Sequence, residues 1–296
     1  MEAWILVNTH AGRQRARQNG EQIRRVFALG GARTRLAYTE SPQEGEAFLE
    51  QAAAAQPDLL VFCGGDGTLS HGINCLGRLD VKIPLGYVPL GTTNDFARSL
   101  GLPKEPARAA EQILHGRLGS AHRLDLGRFG DRAFLYVASF GAFTQSSYKA
   151  EPRVKAALGH LAYVLESVRE LPSLRPQSLR VEAGDVRCEG EFLFGAVTNT
   201  LSVGGVVKLD PETVRLDDGL LELTLVRMPK NPVELGQAVR MLHQCKYDGD
   251  LVIQQPVRRA VFTCPEPFPW SLDGEYVPGG ESIQVEALPQ VLELIL

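Results

Sequence analysis

The glycine-rich run Gly64-Gly65-Asp66-Gly67-Thr68 has the composition of a loop that holds a phosphate group. Glycines let a phosphate approach the backbone closely, and a helix that starts directly after them offers N–H groups with no acceptor inside the helix. The alternative is a tight turn between a strand and a helix, in which the glycines only supply positive φ angles. An acidic residue among the glycines and a second polar loop downstream favour the phosphate site.

That second loop is Gly91-Thr92-Thr93-Asn94-Asp95, and it precedes the apolar pair Phe96-Ala97. Helix capping would account for Asn94 or Asp95, but not for the whole polar run. If both loops lie at one edge, Asp66 and Asp95 offer carboxylates for Mg²⁺, directly or through water, as phosphoryl transfer requires. The two loops together therefore predict nucleotide chemistry.

Common nucleotide motifs are absent from the sequence. No G-x-x-x-x-G-K-[ST] run occurs, which excludes a Walker A loop, and Ser70 stands where a dinucleotide fingerprint needs its third glycine. A net charge of -4 without a long Lys/Arg run argues against a nucleic-acid partner. Five cysteines without a C-x-x-C pair, and an apolar start too short for a signal peptide, predict a cytoplasmic protein with reduced thiols.

The elements that position these loops form a repeated strand, loop and helix pattern. Apolar runs typical of strands lie at Ala3–Val7, Thr34–Tyr38, Leu59–Cys63 and Pro84–Val88. After the second run, Ser41-Pro42 predicts the start of a helix. Strands that alternate with helices predict a parallel sheet with right-handed crossovers. The loops then emerge at the carboxyl edge of the sheet, where open α/β sheets bind ligands.

The chain of 296 residues predicts two domains, with an α/β nucleotide-binding domain at 1–122 and a β-rich domain at 123–296. Short strands dominate the second half, which favours a β-sandwich. They include a predicted hairpin of Leu124–Phe129 with Arg132–Ser139 and a predicted strand at Ile283–Ala287. A long helix with an apolar stripe from Val154 to Leu171 interrupts them, and we interpret the stripe as core packing. We expect the active site in the cleft between the domains.

The motifs resemble those of a known family, the lipid kinases with a diacylglycerol kinase catalytic domain, which include bacterial soluble diacylglycerol kinases and sphingosine kinases. The resemblance covers nearly the whole chain and is carried by Asn8 to Gly12, Gly64 to Thr68, Pro89 to Ala97, Leu216 to Glu222 and Leu272 to Glu275. Gly-Gly-Asp-Gly-Thr alone also occurs in NAD kinases and phosphofructokinases, but the combination with Pro-Leu-Gly-Thr-Thr-Asn-Asp-Phe-Ala is far more specific.

The resemblance implies an NAD-kinase/phosphofructokinase-like α/β domain, a β-sandwich-type domain and an ATP-dependent phosphotransferase that acts on an alcohol group. Diacylglycerol is the leading acceptor, within phospholipid metabolism, and Mg²⁺ is the cofactor. The implied nucleotide-binding residues are Asn8, Thr9, His10, Ala11, Gly12, Thr39, Gly64, Gly65, Asp66, Gly67, Thr68, Leu69, Ser70, Thr92, Asn94 and Asp95.

The family assigns the general base for the lipid hydroxyl to the run Asp273-Gly274-Glu275. Either carboxylate fits that role: Asp273 orients or binds metal while Glu275 takes the proton, or the reverse. From the residues alone, the same run is also typical of a hairpin turn.

A structural Mg²⁺ site is implied in the loop that contains Asp218, with Arg215 and Leu220 as backbone carbonyl ligands. An oxygen-only site suits a hard cation, although Asp217-Asp218-Gly219 is also typical of a plain turn. Asp125 matches a family aspartate in a hydrogen-bond network with Asp66 and Asp95, the alternative being an exposed strand aspartate.

The chain departs from the family pattern at Thr9, Ala11, Ser70 and His71. These departures keep open a non-catalytic nucleotide or lipid sensor, and the shared glycine loop keeps open an NAD kinase-like small-molecule kinase. A lipid kinase would meet its substrate by transient contact at the inner face of the membrane. A homodimer also stays open.

Overall fold

The computed structural model describes residues 1–11, 15–116, 121–141, 175–203, 207–247 and 249–296. The chain divides into two compact units, Met1–Leu124 with Gln290–Leu296, and Asp125–Pro289. Residues 290–296, which the sequence assigned to the second domain, thus belong to the first unit. The predicted helix from Val154 to Leu171, like Gly12, lies outside the described residues.

The first unit contains a parallel sheet in the order β4-β3-β1-β2, which confirms the predicted α/β class. At the β4 edge, Leu294 and Ile295 pair in parallel with Leu85 and Gly86. The strands are β1 (Glu2–Asn8), β2 (Arg33–Thr39), β3 (Leu59–Gly64) and β4 (Leu85–Pro89). The helices are α1 (Ala16–Leu29), α2 (Pro42–Ala55), α3 (Asp66–Arg78), α4 (Asp95–Ser99) and α5 (Pro106–His115).

Helices cover both faces of this sheet, which explains why its central strands are continuous apolar runs. Ile5 and Val61 pack with α1 and α5 in one core cluster. Trp4 faces the other way and meets Phe48 of α2, with ring centroids 5.3 Å apart. The rim loops therefore start from strands that are held on both sides.

The second unit is an antiparallel β structure. Its described residues include one helix, α6 (Pro232–Gln244). Its strands run in the order β16-β15-β7-β9-β8-β14-β17, with β12 between β9 and β13. They are β5 (His122–Phe129), β6 (Arg132–Phe134), β7 (Val137–Gly141), β8 (Gln177–Ala183), β9 (Val186–Thr198), β10 (Ser202–Val203), β11 (Val207–Lys208), β12 (Leu221–Arg227), β13 (Val252–Val257), β14 (Arg259–Thr263), β15 (Trp270–Leu272), β16 (Glu275–Val277) and β17 (Ser282–Ile295).

Trp270 lies at the centre of the second unit's core. Its ring centroid is 4.8 Å from that of Phe140, 5.0 Å from that of Phe262 and 5.1 Å from that of Phe129. On the other face of the sheet, Ala238 and Leu242 of α6 join a second core cluster. The aromatic cluster fixes β15, and with it the chain segment that leads into Asp273.

Two elements differ from the sequence prediction. The hairpin predicted to pair Leu124–Phe129 with Arg132–Ser139 is split, because the chain bends at Leu135 and Tyr136 between β6 and β7. Helix α6 was not predicted, although its Asn231 cap and Pro232 are typical start signals. Among the described residues, no helix is long and apolar enough to cross a membrane.

Candidate active site

The loops that follow the first unit's strands are joined to one another by hydrogen bonds at the carboxyl edge of the sheet. Asn8 donates from Nδ2 to Thr68 Oγ1 over 2.8 Å, which links the β1 loop to the glycine loop. The backbone N–H and the hydroxyl of Thr9 both donate to the Thr39 carbonyl over 3.0 Å. The structure thus brings together the predicted nucleotide residues at the carboxyl ends of β1 and β2 and those in the segment after β3.

The glycine loop and the loop after β4 touch through their backbones. Leu90 N donates to the Gly64 carbonyl over 2.7 Å. A Cβ atom on Gly91 would lie 2.7 Å from the Gly65 Cα, so only glycine permits this approach. The two motifs that are far apart in sequence therefore form one surface.

Helix α3 opens towards that surface. It begins at Asp66, and Gly65 occupies the N-cap without a side-chain hydrogen bond to the helix. Helix geometry leaves the first N–H groups without intrahelical acceptors, and these groups favour an anion. A Cβ atom on Gly67 would meet nothing within 4 Å, so packing does not explain this glycine. An anion that approaches the backbone would explain it.

Asp66 itself faces inward and connects the two loops. Its Oδ1 accepts from the Tyr87 hydroxyl over 3.0 Å, and its Oδ2 accepts from Phe96 N, in the first turn of α4, over 3.2 Å. Asp95 is also buried, and its carboxylate lies 3.3 Å from the Arg98 guanidinium. Both aspartates therefore shape the rim of the site.

The other predicted nucleotide residues of the first unit have varied environments. His10 is exposed and its Nε2 lies 2.8 Å from the Glu40 carbonyl, while Thr92 is also exposed. Asn94 adopts a positive φ of 48° and donates to the Gly91 carbonyl over 2.8 Å. The Leu69 side chain is fully buried, so a nucleotide contact at this position would come from the backbone. Ala11 and Ser70 are partly buried.

In the second unit, Asp273-Gly274 forms the two-residue turn of the β15–β16 hairpin. Leu272 pairs with Glu275, and the φ angles of Asp273 and Gly274 are 49° and 91°. The turn that the sequence offered as an alternative to a catalytic role is thus present, and it does not exclude that role.

The buried carboxylate of Asp273 accepts backbone N–H bonds from the bend between β6 and β7. Leu135 N donates to Oδ2 over 2.7 Å, and Tyr136 N and Val137 N donate to Oδ1 over 3.0 and 3.1 Å. These bonds explain why the predicted hairpin is split there, since these N–H groups bind a side chain rather than a strand. Asp273 anchors the turn.

Glu275 has the opposite environment. Its side chain is 56% exposed, and its Oε2 lies 3.4 Å from the Arg132 guanidinium. An exposed ion pair of this kind contributes little to stability. Glu275 is therefore the carboxylate of the hairpin that is open to solvent.

The loop from Arg215 to Leu220, where the sequence predicts a Mg²⁺ site, is called the cation loop. Asp125, which is fully buried rather than exposed, holds this loop in place. Asp125 Oδ2 accepts from Gly219 N over 2.6 Å, and Asp125 N donates to the Leu216 carbonyl over 2.8 Å. Asp218 is exposed, and its Oδ1 accepts from Leu220 N over 3.0 Å. The loop therefore keeps Asp218 and Leu220 within one tight turn.

The donor set at this loop fits a hard cation, because a carboxylate and backbone carbonyls are oxygen ligands. Within the described ranges, no group of three or more His, Cys, Asp or Glu side chains could hold a metal, so carbonyls of Arg215 and Leu220 would have to contribute. Burial, with a smaller effect from Asp218, raises the pKa of nearby Glu222 to about 7. A cation at Asp218 would offset that repulsion.

Sequence reasoning missed several residues that shape these sites. Tyr87 and Asn199 carry no local motif, and the N–H donors to Asp273 lie more than a hundred positions before it. The one sequence feature that could have indicated Asn199 is its position as a polar residue directly after the mostly apolar run Phe192–Thr198. Only the three-dimensional structure connects it to Asp125.

Comparison with known proteins gives consistent matches along the chain. The model for the diacylglycerol kinase catalytic domain matches residues 2–129, and that for the YegS C-terminal NAD kinase beta sandwich-like domain matches residues 138–296. The second match confirms the predicted sandwich-type class.

Curated relatives match over most of their length. A protein named diacylglycerol kinase from Bacillus subtilis (strain 168) is 32% identical over 93% of this chain and 89% of its own length. One of the same name from Staphylococcus carnosus (strain TM300) is 29% identical over 94% of this chain and 89% of its own length. A crystal structure from Bacillus anthracis str. Sterne shares the fold, with a TM-score of 0.81 and 23% identity over 99% of this chain and 94% of that one.

Proposed function

Because the chain belongs to the diacylglycerol kinase catalytic-domain family, we propose that it transfers the γ-phosphoryl group of ATP to a lipid hydroxyl, with diacylglycerol as the leading acceptor. The observation that carries this proposal is the backbone contact between the glycine loop and the loop after β4, at Gly65 and Gly91. That contact combines the two motifs into one phosphate-binding surface.

ATP binds at this surface through the N-terminal N–H groups of α3, with Asn8, Thr9, Thr39 and Thr92 around them. Backbone donors suit phosphoryl transfer, since catalysis of this reaction is largely positioning and electrostatic stabilisation. Mg²⁺, when bound, neutralises charge on the phosphates. In this family of sites it would be held mainly by phosphate oxygens and water, with Asp66 and Asp95 nearby, because Mg²⁺ seldom needs a cage of protein ligands.

On the acceptor side, we assign the proton to Glu275. The lipid oxygen forms a bond to the γ-phosphorus, the bond from that phosphorus to the leaving ADP oxygen breaks, and the hydroxyl proton passes to the Glu275 carboxylate. A general base must reach the hydroxyl, and Glu275 is exposed. Asp273 is buried with both oxygens engaged, so it holds the turn in place.

A lipid acceptor requires contact with a membrane surface. We propose that the protein is cytoplasmic and that it contacts the inner face of the membrane transiently, during turnover. Sedimentation with anionic vesicles that contain diacylglycerol tests the contact. Equal amounts of the protein in the pellet with and without vesicles would contradict it. The homodimer and the cleft location of the site stay predictions.

The first experiment is transfer of labelled phosphate from ATP to diacylglycerol in micelles, with other lipids and NAD as competing acceptors. We expect labelled phosphatidate as the main product. Labelled NADP would instead favour the NAD kinase-like alternative. The C-terminal half of the chain matches a NAD kinase beta sandwich-like domain, so this alternative is included in the test. ATP binding without any product would favour the sensor.

The variant Glu275→Gln tests the base. We expect kcat to fall by about 10²- to 10⁴-fold, the usual contribution of a general base, with KM for ATP unchanged. Glu281→Gln is the matched control, because Glu281 is also an exposed carboxylate just beyond the hairpin. Equal turnover in both variants would contradict the assignment.

A further inference from the structure

Asn199 lies at the end of β9 and joins separate segments of the second unit. It is 1% exposed. Its side-chain Nδ2 donates to the Asp125 carbonyl over 2.7 Å and to the Leu216 carbonyl over 3.4 Å, while its backbone N–H donates to the Tyr136 carbonyl over 2.9 Å. Asn199 lies outside the sequence motifs that carry the family resemblance.

Each of these partners leads to a different functional segment. Tyr136 donates its own N–H to the Asp273 carboxylate, which anchors the hairpin that carries Glu275. Asp125 accepts from Gly219 N and so fixes the loop of Asp218. Asn199 is thus the residue at which the hydrogen bonds of the hairpin and those of the cation loop meet.

The amide group of Asn199 is retained at an energetic cost. Its Oδ1 is buried and has no hydrogen-bond partner within the part of the chain that the structure describes. A buried oxygen without a partner is destabilising, and an apolar side chain would avoid it. The neighbouring groups of Asp125 and Leu216 are carbonyl oxygens, so the Nδ2 donors are the feature that the position requires.

We propose that Asn199 is a positioning residue that couples the cation loop around Asp218 to the hairpin of Glu275. Its amide keeps the Asp125 and Leu216 carbonyls in place, and its backbone transmits that constraint to Tyr136. This inference rests on the proposed function for its catalytic consequence, but the structural coupling can be measured independently of any activity.

The test compares Asn199→Ala with Thr224→Ala. Thr224 is also fully buried, on the adjacent strand β12, and its hydroxyl has no hydrogen-bond partner among the described residues. Its removal therefore creates a cavity in the same sheet without breaking a side-chain hydrogen bond that the structure describes. Both proteins are examined by amide hydrogen exchange without added metal or nucleotide. Steady-state kinetics with ATP and diacylglycerol follow.

For Asn199→Ala we expect amide exchange about tenfold faster at Gly219 and also at Tyr136 and Val137, as expected for the loss of one buried hydrogen bond. We expect kcat to fall about 10- to 100-fold with KM for ATP unchanged, as is usual for residues that orient a catalytic group without contacting the substrate. Thr224→Ala should leave exchange at these amides and kcat as in the wild type.

Faster exchange at Gly219 alone would overturn the coupling, and so would an unchanged kcat in an otherwise active enzyme. If Asn199→Ala does not fold, Asn199→Asp keeps the side-chain size and replaces the donor by an oxygen, and the same comparison applies. A wild-type protein without lipid kinase activity refutes the proposed function instead, since the exchange pattern would still decide the coupling.

Discussion

The substitution Gly67→Ala, compared with Gly77→Ala, tests whether Gly67 is required by a bound phosphate rather than by the fold. Gly67 lies in the first turn of α3, and Gly77 lies near the end of the same helix. A Cβ atom at either position would meet nothing within 4 Å, and neither residue has a positive φ. The two alanine variants are therefore matched in helix and in packing.

Their effects on stability should be similar and favourable. Alanine is preferred to glycine by about 0.8–1.0 kcal/mol in a helix interior and by less in the first and last turns, so each variant should unfold at a slightly higher temperature than the wild type. Their effects on ATP should differ. At Gly67 the new methyl group stands where a phosphate would approach, and the loss of one hydrogen bond to a charged group costs about 1.5–3 kcal/mol. That corresponds to ATP binding about 10- to 100-fold weaker.

Thermal unfolding and calorimetric titration with ATP measure both quantities in one set of samples. We expect Gly77→Ala to bind ATP as the wild type does, and Gly67→Ala to bind it more weakly while remaining at least as stable. If Gly67→Ala binds ATP with unchanged affinity, the N-terminus of α3 is not the phosphate site. The open space at Gly67 would then need another explanation.

Three further substitutions test other parts of the structure. Gly91→Ala should separate the two phosphate loops, because its Cβ would lie 2.7 Å from the Gly65 Cα. We expect a lower unfolding temperature and weaker ATP binding. A higher unfolding temperature or tighter ATP binding would contradict the close contact. Asp273→Ala removes the acceptor of several buried N–H groups and should lower the free energy of unfolding by at least about 2 kcal/mol in denaturant titration; a change below about 0.5 kcal/mol would refute the anchoring role. Burial, and to a lesser extent Asp218, raises the pKa of Glu222 from 4.5 to about 7, so folding favours its protonated form and the free energy of unfolding should fall as pH rises between these values. Glu222→Gln, studied in EDTA, should remove this slope and gain about 2–3 kcal/mol over the wild type at pH 8 but nothing at pH 4; parallel curves for the two proteins would show that Glu222 is not the group responsible.

The first unit could be predicted closely from the sequence because its signals are local. Ser41 accepts a hydrogen bond from Glu44 N and Pro42 occupies the first helical position, as the Ser-Pro start of α2 indicated. The strand at Leu59 is buried on both faces and ends at the glycine loop. A short apolar run next to a glycine loop contains all the information that these elements need.

The second unit was less predictable because its decisive contacts are distant in sequence. The bend at Leu135 exists because a carboxylate 138 positions away accepts its N–H, and no window of the sequence contains both groups. The strand predicted at Ile283–Ala287 continues as β17 to Ile295, where it pairs with β4 of the first unit. Local propensity cannot reveal an element whose partner belongs to another part of the chain.

The pair Asp273 and Glu275 shows how the same distant contacts bear on function. In sequence the two carboxylates are equivalent candidates for the base, since each is an acidic residue beside one glycine. In the structure a hairpin with Leu272 opposite Glu275 sends one carboxylate into a set of backbone donors and leaves the other exposed. The difference depends on the backbone N–H groups of Leu135, Tyr136 and Val137, which donate to the Asp273 carboxylate. The proposed choice of Glu275 as proton acceptor therefore follows from the folded second unit and not from the sequence, and it depends on the hydrogen bonds that hold Asp273.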